Sequence, residues 1–130
     1  MENNTKEKFQ ISGENYIPTI DFDATTNILE ISGESYHEYT IEFYQPVFDW
    51  LKAYLDENRP AITFNFKMTY FNTSTSRRFL EIFDMLEDYQ NSGKGNITVN
   101  WYFQEDDVDM QESGEEYAED VKLEFNLLPF

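Results

Sequence analysis

The chain has 130 residues, 26 of them Asp or Glu against 9 Lys or Arg, for a net charge of -17, and it has no cysteine. The length suits a single domain over residues 1–130. The acid excess excludes a binder of nucleic acid or an element inserted at anionic membrane. The missing cysteines exclude disulfides and Cys-ligated zinc.

Residues 1–8 read as a flexible polar lead with no apolar run of signal-peptide length, which makes a soluble cytoplasmic protein the expectation. "YIPTIDFD", Tyr16 to Asp23, is a first strand, and Pro18 near its start marks it as an edge. "NILEISG", Asn27 to Gly33, is a second strand in a hairpin with the first. "QPVFDWLKAYLDEN" is a helix. Pro46 suits its first turn, Val47, Phe48, Leu51, Tyr54 and Leu55 form an apolar stripe, and Asn58 and Pro60 stop it. "AITFNFKMTY" alternates strictly, with Ile62, Phe64, Phe66 and Met68 on one face. Phe79, Leu80, Phe83, Leu86 and Tyr89 then repeat at helical spacing up to Gly93 and Gly95. "NITVNWYF" is another alternating strand, Glu105 to Asp120 an acidic connector, and "VKLEFNLL" a last strand. The order implies an α/β domain: a mixed sheet of about five strands with two main helices packed on it, and parallel pairing across the strand–helix–strand units.

Two segments stand out as functional candidates. The first is "YFNTSTSRRF", in which Asn72, Thr73, Ser74, Thr75 and Ser76 precede Arg77 and Arg78 at a helix start. Capping needs one such polar side chain and stabilises by about 1 kcal/mol. Arginines in a first turn oppose the helix dipole, whereas a phosphate on Thr73 or a neighbour would reverse the sign and find arginines within reach. Free N–H groups at a helix start also favour an anion. The residues therefore point to a phosphorylation switch or to docking of an anion carried by another molecule.

The second is Glu105 to Asp120, with nine acids and no base. An EF-hand loop is excluded, because counted from Asp107 the required glycine position holds Glu112. The run suits a basic partner surface better than a metal. His37, beside Glu38 and near Glu34, has no nucleophile in a recognisable constellation and reads as a surface-loop histidine. No catalytic residue, metal ligand or cofactor site is expected.

Three segments, "ISGESYHEYT", "MTYFNTSTS" and "VNWYFQEDDVDMQESGEEY", together resemble the SiaC family of bacterial regulatory phosphoproteins, in order and in interval. The family is similar in fold to STAS domains of the anti-sigma-factor-antagonist type. The resemblance implies a non-enzymatic partner switch. A cognate SiaB-like kinase phosphorylates the motif threonine, here Thr73, and a SiaA-like phosphatase of the PPM type removes the phosphate. The unmodified protein engages a target, a diguanylate cyclase in the best-understood branch. Ser74 and Thr75 become secondary acceptors, and Asn72, Arg77 and Arg78 become contacts for phosphate or kinase. Glu34, Ser35, Tyr70, Asp106, Asp107 and Asp109 become the partner surface. The chain departs from the family's commoner pattern at Thr75 and Arg77, and at His37, where proline is usual. The competing readings are a constitutive acidic module that mimics nucleic acid and a carboxylate- or metal-dependent enzyme.

Overall fold

A computed structural model describes residues 7–130. Among them six strands form one sheet in sequence order, β1 Lys8–Ile11, β2 Thr19–Asp23, β3 Ile28–Ser35, β4 Ala61–Phe71, β5 Asn96–Phe103 and β6 Glu124–Pro129. Three helices connect the last four strands: α1 Thr40–Leu55, α2 Thr73–Asn91 and α3 Val108–Asp120. β1, β2 and β3 pair antiparallel, while β3 through β6 are parallel. The mixed α/β architecture agrees with the sequence, with one more strand and one more helix.

Each extra element has a physical reason for being hard to read. β1 is four residues long and begins inside the polar lead, of which residues 1–6 lie outside the described part. Its Phe9 stacks on Trp50 at 6.2 Å between ring centroids, which holds the strand to the core. β1 also takes the edge position expected for the Pro18 strand, so β2 lies inside the sheet. The acidic segment forms α3. Its buried residues Met110, Gly114 and Tyr117 recur at intervals of four and three, hidden among carboxylates that stay in solvent.

α1 begins six residues before Pro46, because Thr40 and Tyr44 extend the buried stripe that continues through Val47, Leu51 and Tyr54. Pro46 therefore sits inside the helix, on its exposed side. α2 likewise begins at Thr73, a full turn before Arg77, and ends where Gly93 takes the left-handed conformation (φ 76°).

The three parallel crossovers all advance in the same direction across the sheet. Right-handed connections then place α1, α2 and α3 on one face. The strand pattern agrees: Phe64, Phe66, Val99 and Trp101 are fully buried on that face. Phe66 is central, with ring centroids of Phe64, Phe79, Phe83 and Trp101 between 4.7 and 5.5 Å away. Burying each such ring stabilises by roughly 1.5–3 kcal/mol before ordering costs. On the opposite face Asn65, Asn100 and Asn126 lie in register on three adjacent strands and are joined by amide hydrogen bonds of 3.0 Å.

Parallel strands with helices on one side have a common polarity. The carboxyl ends of β3, β4 and β5 and the N-termini of the helices that follow them gather at one edge of the sheet, and the functional candidates lie there.

Candidate functional site

At this edge β4 passes into α2 through a single residue, Asn72. Its backbone is extended (φ -92°, ψ 178°), and its side chain accepts a hydrogen bond of 2.9 Å from the Thr75 N–H. Asn72 is thus the cap, and the four hydroxyl residues after it form the first helical turn. Successive side chains on a helix point about 100° apart, so the four are sent to four different surroundings.

Ser74 reaches α1, where its hydroxyl bonds that of Thr40. Ser76 reaches α3, its Oγ 2.5 Å from the Tyr117 hydroxyl. Thr75 points inward and is fully buried. Its hydroxyl donates to the Ser35 carbonyl at 2.8 Å and lies 2.9 Å from Ser35 Oγ, which is itself 2.9 Å from the Tyr44 hydroxyl. With the Thr75 proton committed, Ser35 donates to Thr75 and Tyr44 donates to Ser35. Burial pushes the Tyr44 phenol well above its ordinary pKa, so it keeps the proton it donates. Burial raises the Tyr117 phenol too. Thr73 alone of the four is exposed, and among the described residues its hydroxyl has no hydrogen-bond partner.

Ser35 and Thr75 therefore have structural work. Ser35 is 1% exposed and cannot touch a partner, which corrects its place in the expected partner surface. Its carbonyl also accepts from the Asn72 N–H at 3.2 Å, so the end of β3 is tied to the strand–helix junction. A kinase reaching Thr75 would have to open that junction. Replacing Thr75 by valine keeps the shape but leaves the Ser35 hydroxyl without its acceptor. Urea unfolding should show a loss of about 1–3 kcal/mol. Valine at exposed Thr73 should stay within about 0.5 kcal/mol of the parent.

The arginines also separate. With α2 starting at Thr73, both stand in the second turn, so they do not crowd the helix start as the sequence suggested. Arg77 is exposed and four residues on from Thr73, which puts it on the same helix face one turn away. Arg78 is five residues on, faces elsewhere, and pairs with Glu81 at 3.2 Å while only 13% of its side chain is exposed.

The other expected surface residues gather in part. Glu34 and Tyr70 are register partners on β3 and β4, and both are exposed. A cavity of about 180 Å³ joins Tyr70 to Asp107 and Asp109 across the start of α3. Asp107 is half-buried and caps α3, accepting from the Met110 N–H at 3.1 Å. Asp106 is exposed and lines a neighbouring open cleft with Asp107 and Asp109. Among the described residues no three metal-capable side chains converge, and no helix is long and apolar enough to cross a membrane.

Sequence reading missed an aromatic group at the same edge. Tyr16, Tyr36, His37, Tyr39 and Tyr70 form a chain of ring contacts with centroids 5.3–5.9 Å apart. Scattered over three segments, these rings resemble core residues in composition. Only topology brings them to the surface together.

Comparison with known proteins agrees with this geometry. The model of the family described as SiaC family regulatory phosphoprotein matches residues 4–130. An uncharacterized protein of Pseudomonas aeruginosa (strain UCBPP-PA14) is 27% identical over 115 residues, covering 88% of this chain and 90% of its own. The crystal structure of apo-SiaC from Pseudomonas aeruginosa superposes with a TM-score of 0.86 at 26% identity, over 95% of this chain and 99% of that one. SiaC in its crystal complex with the diguanylate cyclase SiaD, which it activates, gives 0.88 at 25% identity, over 94% and 99%. With the family model matching residues 4–130 and the fold shared with SiaC, the chain belongs to the SiaC family of regulatory phosphoproteins.

Proposed function

We propose that this protein is a partner switch whose position is set by reversible phosphorylation of Thr73. The reading rests on one observation: in a hydroxyl run where Ser74, Thr75 and Ser76 are each held by a neighbouring element, Thr73 is exposed and uncommitted. Its family supports a phosphoprotein. The chain acts by binding rather than by catalysis, as a single cytoplasmic domain. A cognate SiaB-like kinase adds the phosphate and a PPM-type, SiaA-like phosphatase removes it. The unmodified form binds and regulates a target. A diguanylate cyclase is favoured because a similar protein occurs in complex with one as its activator.

The mechanism is electrostatic. A phosphate adds about -1.5 to -2 charges to a neutral hydroxyl edge. In the free protein it is hydrated, lies beside free helix N–H groups, and has Arg77 one turn away on its own face. Under a packed partner the same group is desolvated and unpaired, which is costly. Binding is lost without refolding. The test is intact-mass analysis and peptide mapping of the protein purified from its native host. The expected result is one phosphate on the peptide carrying Thr73, and phosphate confined to another residue would overturn the assignment.

A further inference from the structure

The aromatic group contains a recess of about 300 Å³ lined by Tyr16, Tyr36, His37 and Glu38. Three rings and one carboxylate around a small opening is the chemistry that receives an organic cation: ring faces attract positive charge, and the carboxylate completes its pairing. The His37 ring is held in place here, because its Nδ1 accepts the Tyr39 N–H at 3.0 Å.

The backbone supports the reading independently. Tyr16 has φ 54°, a left-handed conformation that a bulky residue rarely adopts. Two hydrogen bonds between Glu14 and Ile17 and a third from the Tyr36 N–H to the Tyr16 carbonyl hold it there, all 3.0–3.1 Å. The strained residue nevertheless leaves its ring 44% exposed. Strain kept at an exposed side chain is characteristic of ligand clamps.

We propose that Tyr16, Tyr36, His37 and Glu38 form a cage for an arginine side chain of the protein that this chain binds. The inference rests on the reading of the chain as a protein-binding regulator and gives the chemistry of what it binds. Charge complementarity favours a basic occupant on a chain of net charge -17. Arginine fits better than a free ammonium ion because the apolar surface continues past the recess. Tyr39, Ile41 and Tyr70 are 58%, 62% and 51% exposed, and a lone cation would leave them uncovered. A planar guanidinium both stacks on rings and pairs with Glu38.

The test is NMR titration of the full chain with the peptide acetyl-Ala-Leu-Arg-Leu-Ala-amide. Its glutamine analogue and tetramethylammonium chloride serve as the other arms. The arginine peptide should shift the Tyr16, Tyr36 and His37 ring signals saturably, with an affinity at least about fivefold above that of either comparison. Tyr16→Gly should weaken it by about fivefold or more while the melting temperature holds or rises, since glycine relieves the left-handed backbone. Glu38→Gln should weaken it with the rings in place. Absent ring shifts, equal binding of the glutamine peptide, or affinity unchanged in Tyr16→Gly would each overturn the proposal. Equal binding of tetramethylammonium would instead make the recess a free-cation site and also overturn it. The peptide does not need Thr73, so a failed cage and a failed switch are told apart by this titration and by the Thr73 variants.

Discussion

Under the proposed switch, Thr73→Glu is expected to weaken binding of the proposed target, a diguanylate cyclase, by ~100-fold or more, while Thr73→Ala binds within a few-fold of the parent. The first figure follows from burying a charge with no partner, which costs about 3 kcal/mol or more. The second follows because the Thr73 hydroxyl is exposed and makes no hydrogen bond among the described residues, so little is lost with it. Phosphorylated parent should behave as the glutamate variant does, and Thr73→Ala should stay bound whatever kinase is present. The measurement is calorimetry or interferometry with purified cyclase, at one fixed ionic strength because both surfaces are charged. Parent-like affinity in Thr73→Glu and in the phosphorylated protein would remove Thr73 from the switch. Arg77→Ala should leave the bare protein's stability nearly unchanged and lower that of the phosphorylated form, because only the latter has an anion on that helix face.

Gly114→Ala should destabilise the fold by about 1–3 kcal/mol, the usual cost of overpacking, although alanine is the better helix former by about 1 kcal/mol. A Cβ at this position would lie 2.4 Å from Trp101 Cδ1 and 2.7 Å from Leu127 Cδ2, so α3 would have to lift from the sheet. Lifting it would stretch the 3.0 Å bond from Trp101 Nε1 to the Met110 carbonyl, which satisfies a buried donor. It would also shift Asp107 and Asp109 relative to Tyr70, so binding should fall along with stability. Urea unfolding of the variant decides the point, and a rise in stability would show that α3 is not seated by that close approach.

The elements most legible in the sequence were those whose period was unbroken. β4 and β5 alternate strictly, and the stripe of α2 holds from Phe79 to Tyr89 except at Leu80, which is exposed while Ile82 takes the buried place. Helix starts were read late, for one reason. Thr40 in α1 and Thr75 in α2 are buried with their hydroxyls bonded to Ser74 and to Ser35 respectively, and a polar residue gives no hydrophobic signal. The puzzle of Arg77 and Arg78 came from that error and ends with it. α3 was hidden because three buried positions among six acids barely move an average. The strand–helix junction that carries the candidate hydroxyls was legible in "YFNTS". The division of labour among its hydroxyls was not, since it depends on which of four directions meets α1, β3 or α3. Ser35 came into the partner surface through the resemblance, and no sequence signal shows that its side chain turns inward.

The asparagines that cross the open face of the sheet bear on how the chain assembles. Parallel strands joined by helices must find each other over long stretches of sequence, so wrong alignments are the natural hazard. Sliding β5 against β4 by one residue would carry Asn100 in among Phe64 and Phe66, turn Trp101 out of the core and bury an amide with no partner. Sliding by two residues would keep the aromatic face inward and so escape that penalty. It would, however, set Asn100 opposite Thr63 or Lys67 and break the bonds linking Asn65, Asn100 and Asn126. The core rejects odd slips and the amides reject even ones, so three half-exposed side chains give the parallel sheet an alignment mark that its greasy face cannot supply.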